Sequence, residues 1–220
     1  MLNIAIDGPS GSGKSTVAKA LAKKLNIMYL DTGAMYRGVG YYLLKHNIDP
    51  SNEKGVLNIL DALCMDIVYS DGVQKVVVNG EDVTPYIREN NISMAASTAS
   101  KIKEVRVKLV KLQREIAKKS NCVLDGRDIG TYVLPDAKYK FFLDASLDIR
   151  ANRRFLELKS KGSNLTFDEI KEDMFTRDEQ DSKRAFAPLK PANDAIIVDT
   201  SNLDIDGVLS LLASYIKWNF

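Results

Sequence analysis

Cysteine is nearly absent: Cys64 and Cys122 are the only two, far apart on apolar segments. That excludes a disulfide framework and any cysteine pair at metal-ligand spacing, and both are expected to be buried thiols. Histidine is scarcer still. The single residue, His46, follows a helical stretch outside any motif, so no imidazole general base is expected and His46 is placed on the surface. Long hydrophobic runs are missing too, with no uninterrupted apolar stretch near the roughly 20 residues a spanning helix needs. The opening Leu2-Asn3-Ile4-Ala5-Ile6-Asp7 lacks a basic n-region, a long apolar h-region and a small-residue cleavage site. No secretion signal is read, and a soluble cytoplasmic protein is expected. Finally, charge of one sign is lacking: 31 Lys and Arg against 29 Asp and Glu leave +2. So small an excess implies neither a nucleic-acid nor a membrane surface, and any bound anion must be met by local placement of charge.

What remains is ordinary for a globular chain, 45% hydrophobic and 27% charged over 220 residues, enough for one α/β core with a small insertion. Short β-branched runs alternate with helical periodicity, which argues for βαβ units and a parallel sheet with helices on both faces. Strands are predicted over Asn3 to Asp7, Ile27 to Leu30, Cys122 to Asp125, Lys140 to Leu143 and Ile196 to Val198. Apolar residues recurring three or four apart predict helices over Lys14 to Leu25, Ala34 to Lys45, Lys54 to Leu63, Ile102 to Lys118, Leu147 to Lys161, Asp168 to Lys183 and Ile205 to Trp218. One segment breaks the alternation. Asp66 to Tyr69 and Lys75 to Val78 flank a Ser70-Asp71-Gly72 turn, and Asn79-Gly80 is a second turn signal, so an antiparallel insertion is expected there. There is no internal repeat, low-complexity tract or flexible linker.

After the first strand, Gly8-Pro9-Ser10-Gly11-Ser12-Gly13-Lys14-Ser15-Thr16 fits G-x-x-x-x-G-K-[ST] and opens a helix. Its glycines let successive N–H groups point inward at phosphate oxygens, and the helix N-terminus adds partial positive charge. Lys14 is placed at the β- and γ-phosphates and Ser15 on Mg²⁺. ATP or GTP binding follows; the reaction does not, because hydrolases, switches and kinases share the motif.

The acceptor has to be read elsewhere along the sheet's carboxyl edge, where α/β folds gather ligands. Asp31-Thr32-Gly33-Ala34-Met35-Tyr36-Arg37 follows the second strand, and Asp125-Gly126-Arg127-Asp128-Ile129-Gly130 follows the third. After the fourth, Arg150, Arg153 and Arg154 fall at i, i+3 and i+4 on one helix face. Arg177, Asp181 and Arg184 follow at i, i+4 and i+7. Such arginines suit a mobile lid over a transferring phosphoryl group, though Asp173–Arg177 and Arg177–Asp181 also read as i, i+4 ion pairs on solvated faces.

In these segments, and in Phe142-Leu143-Asp144-Ala145-Ser146 and Arg184-Ala185-Phe186-Ala187-Pro188-Leu189, the sequence resembles bacterial-type cytidylate kinase nearly end to end. The resemblance implies a P-loop NTPase three-layer α/β fold with a five-stranded parallel sheet. It further implies a single kinase domain over 1–220, with a monophosphate-binding insertion at about 33–100 and a helical lid at about 150–184. Implied roles are the acceptor phosphate for Arg37, Arg127 and Tyr36, the base for Ser97, Arg106 and Asp128, and sugar and phosphate for Arg177, Asp181 and Arg184. Thr32 stands where the family often has serine, and either offers a hydroxyl. Lys14, Arg127, Arg150, Arg153, Arg154 and Arg184 would carry catalysis, with Gly8 to Thr16 holding ATP. The reaction expected is ATP with CMP, and dCMP, giving ADP and CDP or dCDP, by a monomer without nucleic-acid or membrane partners. UMP, AMP or shikimate as acceptor is the alternative within kinases. A nucleotide-dependent switch is the alternative outside them, and no Asn-Lys-x-Asp guanine-reading motif supports it.

Overall fold

The computed structural model describes residues 1–70 and 72–217. In chain order the elements are β1 (Asn3–Asp7), α1 (Lys14–Lys24), β2 (Met28–Asp31), α2 (Thr32–Lys45), α3 (Glu53–Leu60), β3 (Met65–Ser70), β4 (Val73–Val78), β5 (Glu81–Asp82), α4 (Asn90–Ala99) and α5 (Lys103–Lys119). There follow β6 (Cys122–Gly126), a π-turn (Ile129–Val133), β7 (Tyr139–Asp144), α6 (Leu147–Ser160), α7 (Phe167–Lys183), β8 (Ile196–Asp199) and α8 (Ile205–Tyr215). Every predicted strand is present, shifted by one residue at most at its ends except β4, which begins two residues before the predicted Lys75. Asp71, the centre of the expected turn, and Trp218, the expected end of the last helix, lie outside the described residues.

The chain divides into two compact units, one formed by Met1–Tyr29 with Ser120–Phe220 and the other by Leu30–Lys119. The five-stranded sheet has the order β2-β6-β1-β7-β8. Its central strand β1 pairs in parallel with β6 (Asn3 opposite Cys122) and with β7 (Ile4 opposite Tyr139). These strands are buried on both faces and accordingly read as continuous apolar runs. Ile4, Ile6, Val123, Phe141 and Leu143 pack with Val17, Leu21 and Ala22 of α1 and with Val208 and Leu212 of α8 into one core. A second, smaller cluster joins α6 to α7 through Ala151, Ile170 and Met174, and a Thr166–Glu169 capping box starts α7.

In the second unit a three-stranded antiparallel sheet, β3-β4-β5, replaces the βαβ pattern. Helix α2 packs on α4 so closely that a Cβ at Gly40 would lie 2.8 Å from the Ala96 amide and from the Ile92 carbonyl. Helix α4 is absent from the sequence-based expectation, and α3 ends at Leu60, short of the predicted Leu63.

Cys122 is buried, and burial pushes its thiol up to about 12. Cys64, expected to be buried as well, is exposed. Its neighbours Leu63 and Met65 take the inward positions, and its own N–H donates to Asn79 Oδ1 at 2.7 Å, so only the backbone of Cys64 is used. His46 is exposed and meets the Tyr42 ring edge-on.

Candidate active site

The phosphate loop leaves β1 with Gly8 at φ 149°, where an added Cβ would stand 2.1 Å from the Leu143 carbonyl oxygen. No L side chain is accommodated there. Gly11, at φ 76°, is equally confined, because a Cβ would meet Met174 Cε at 2.8 Å and Arg150 Cβ at 3.0 Å. The backbone thus passes under α6 and α7 before α1 begins. Lys14 is buried and donates from Nζ to the Pro9 carbonyl at 2.9 Å. Burial, reinforced by the nearby Arg127 guanidinium, lowers its pKa to about 7.

Ser15 donates its hydroxyl to Asp125 Oδ2 at 2.5 Å, and Tyr29 donates to Asp125 Oδ1 at 2.9 Å. Asp125, to which the sequence reading assigned no role, thus stands beside the phosphate-loop serine. It opens the Asp125–Gly130 segment picked out in the sequence, but its partner Ser15 lies 110 positions away and nothing local gave it a role. A hydroxyl and a carboxylate are the hard oxygen donors that Mg²⁺ prefers when phosphate oxygens complete its shell, so this pair fits the ion. Among the described residues no cluster of three or more His, Cys, Asp or Glu could hold a metal by itself.

Beyond β6 an alternating charge network forms. Arg127 Nε donates to Asp181 Oδ2 at 2.8 Å, while Arg184 lies 3.5 Å from Asp181 Oδ1 and 3.4 Å from Asp128 Oδ1. Burial by itself would raise the Asp181 carboxyl, but Arg127 and Arg184 together hold it below its usual range. Arg177 is half-buried beside this network, its Nε without a hydrogen-bond partner, and burial with the neighbouring Arg127 charge lowers its pKa. The structure therefore brings Arg127, Asp128, Asp181 and Arg184 together, and Asp181 pairs across the fold with Arg127 as well as with its helix neighbour Arg184.

The three arginines of α6 do not converge in the same way. Arg150 is buried and spends its guanidinium on protein acceptors: the Ala145 carbonyl at 2.8 Å, the Ser10 carbonyl at 3.0 Å and Asp178 Oδ2 at 2.5 Å. Arg153 donates to Thr200 Oγ1 at 3.1 Å and to the Thr200 carbonyl at 2.6 Å, and Arg154 pairs with Glu157 at 2.8 Å. Spacing gave them one helix face; their acceptors separate the head groups. Asp178, unnoticed in the sequence, is what ties α7 to Arg150 and through it to the phosphate loop.

In the second unit Asp31 caps α2, accepting from the Ala34 amide at 2.8 Å and from Arg37 Nη2 at 3.0 Å. Thr32 is buried in the first turn of the same helix. The Tyr36 ring lies under the Arg106 guanidinium, 5.4 Å from its centroid, and Arg106 is almost wholly buried at 1% exposure. Its Nη1 donates to the Ser100 carbonyl at 3.5 Å, which ties the guanidinium to the end of α4. Ser97 is half-buried on α4, and its carbonyl accepts from the Ser100 hydroxyl at 2.7 Å.

Comparison with known proteins gives the family. The cytidylate kinase family model matches residues 4–218. The cytidylate kinase of Caldicellulosiruptor bescii is 50% identical over 208 residues, covering 94% of this chain and 92% of the relative. That of Clostridioides difficile (strain 630) is 50% identical over 216 residues, covering 98% of each. The crystal structure of an uncharacterized protein from Eubacterium ventriosum aligns over 100% of both chains with a TM-score of 0.55 at 15% identity, a likeness of fold alone. A phosphate loop under two arginine-bearing helices, an Arg-Asp turn beyond β6 and a match along the whole chain lead to one statement: this chain belongs to the cytidylate kinase family.

Proposed function

We infer that the chain transfers the γ-phosphoryl group of ATP to CMP, and to dCMP, releasing ADP and CDP or dCDP. The observation that carries this reading is the family match from residue 4 to residue 218. The chain is proposed to do this as a cytoplasmic monomer acting on small molecules; among the described residues no helix is long and apolar enough to cross a membrane.

The phosphate-loop amides of Gly8 to Thr16 would take the triphosphate, with Lys14 at the β- and γ-oxygens. Ser15 and Asp125 would hold Mg²⁺, which when bound neutralises charge on those oxygens. A monophosphate oxygen is already an adequate nucleophile at neutral pH, so the protein needs no strong base. Its work is positioning and charge neutralisation. Arg127 and Arg184 are now balanced by Asp181 and Asp128 at 2.8–3.5 Å, and an acceptor phosphate would compete with those carboxylates for the same guanidinium groups. Arg37 and Tyr36 are assigned to the acceptor phosphate too, and Arg177 and Asp181 to the sugar. Arg150, tied to the Ser10 carbonyl, braces the loop from α6, and Arg153 and Arg154 are assigned to the same helix's side of the site.

For the base, Asp128 can accept from the cytosine N4 amino group, and Ser97 and Arg106 can donate to its O2 and N3. Uracil places an acceptor where cytosine has the donor, and an unpaired buried polar group costs about 1–3 kcal/mol. The kcat/KM for CMP is therefore expected to exceed that for UMP by roughly ten- to a hundredfold. A steady-state panel of CMP, dCMP, UMP, AMP and shikimate checks this, and equal rates on CMP and UMP would defeat it.

ATP binding carries a proton signature. Lys14 titrates near 7 in the free protein, and triphosphate charge beside it must raise that pKa, so at pH 7.5 binding takes up protons. Calorimetry in buffers of different ionisation enthalpy should show the uptake in the parent and lose it in Lys14→Ala. Equal uptake in both proteins would assign the proton elsewhere, with Asp7, also near 7, the first alternative.

A further inference from the structure

Asp7 is a buried carboxylate with no assigned part in binding or transfer above, 4% exposed at the carboxyl end of β1. Its two oxygens each have a separate backbone donor: Oδ1 accepts from the Ile129 amide at 2.8 Å and Oδ2 from the Gly130 amide at 2.7 Å, 122 and 123 positions away in sequence. These amides open the π-turn that follows Arg127 and Asp128. A helix-like turn begins with N–H groups that have no partner within it, and Asp128 makes no side-chain cap there. A carboxylate from another strand caps the turn instead. The Asp128 carbonyl closes the turn by accepting from the Tyr132 and Val133 amides at 2.9 and 3.1 Å. Gly130 is packed against its cap, since a Cβ there would lie 3.4 Å from Asp7 Oδ2 and 3.3 Å from Lys140 Cδ.

We propose that Asp7 is a positioning residue, a carboxylate clamp that fixes the Arg127–Asp128 turn to the strand feeding the phosphate loop and so sets the placement of Asp128 for the acceptor. This deepens the assignment of Arg127 and Asp128 to the acceptor and rests on it. The chemistry suits a clamp better than a filler. Burial drives the Asp7 carboxyl up to about 7 although both amides hold it down, so the fold retains a costly group where an apolar side chain would leave two N–H groups bare. An asparagine could accept from one amide and would turn its NH₂ toward the other.

The test uses Asp7→Asn and Asp7→Glu in the full chain, with amide hydrogen exchange at residues 129 and 130 and steady-state kinetics. Asp7→Asn is expected to speed exchange at one or both amides and to raise KM for CMP by about tenfold, the scale of one lost charge-assisted hydrogen bond, while KM for ATP stays within about twofold. Asp7→Glu keeps the charge and both acceptor oxygens but carries them one methylene further than the two amides require, and should raise KM for CMP in the same selective way. It decides the matter if Asp7→Asn does not fold. Unchanged exchange, an unchanged KM for CMP in a folded variant, or equal rises for CMP and ATP would overturn the clamp. Asp128→Ala, assayed in parallel, separates the two claims. Unchanged CMP/UMP selectivity in that variant would remove the base reading, and the clamp would still be judged by exchange and by KM in Asp7→Asn.

Discussion

Lys14→Ala should lower kcat by about 10³-fold, the scale at which removal of one donor from a charge-developing site is felt, and should leave the fold intact. The amine is buried, close to Arg127, and bound only to the Pro9 carbonyl among the hydrogen bonds described above, so the folded state gains little from its charge. Stability supplies a second readout with a definite sign. A lysine whose folded pKa falls from 10.5 to about 7 favours the folded state increasingly as pH rises between those values. Below pH 7 the charged amine weighs against the parent and is absent from the variant. Lys14→Ala should thus be at least as stable as the parent near neutral pH, and its advantage should shrink toward pH 10. Chemical denaturation across that range measures the trend. Near-normal turnover, measured alongside, would remove Lys14 from the transferring group.

Asp128→Ala is expected to cost selectivity before it costs anything else, with the ratio of kcat/KM for CMP over UMP falling by about ten- to a hundredfold. Removing the carboxylate takes away the acceptor proposed for the N4 amino group and leaves an apolar methyl indifferent to N4 or O4. Arg184 loses one neighbour at 3.4 Å but keeps Asp181 at 3.5 Å and its donation to the Ala187 carbonyl at 2.5 Å, so the surrounding network survives. KM for ATP should move by less than about threefold. Competition kinetics with the two monophosphates in one mixture read the ratio directly, and an unchanged ratio would take Asp128 out of base recognition.

The phosphate loop was legible because its physics is contiguous: strand, glycines, lysine and helix start follow one another, and each residue's role depends on its neighbours in sequence. Asp125 was missed because its meaning lies in Ser15, 110 positions away, and nothing local distinguishes it from any acid ending a strand. Asp7 and Asp178 were hidden for the same reason, their partners being amides and a guanidinium brought in by the fold. Helix α4 escaped because Asn90-Asn91-Ile92-Ser93 begins it with poor helix formers and Glu89 gives no side-chain cap. Small residues there allow close packing on α2, and that contact decides what propensity left open. For Arg150, Arg153 and Arg154, periodicity fixed the face on which the Cα atoms lie but not where long side chains end. Cys64 shows the same limit at a turn, where one step along the chain reverses inside and outside.

The central position of β1 has a consequence for biosynthesis. Its two hydrogen-bonded neighbours are β6 and β7, and Asn3 already contacts Cys122, 119 positions later. At about 5–20 residues per second on the ribosome, this strand and the loop it leads into must wait roughly ten seconds for a partner. Residues 30–119 emerge as one uninterrupted stretch and can collapse in the interval, while the apolar Ile4-Ala5-Ile6 segment has α1 to pack against but neither of its strand partners. Nascent chains stalled before residue 120 are therefore expected to expose the strand's unpaired edges to chaperones.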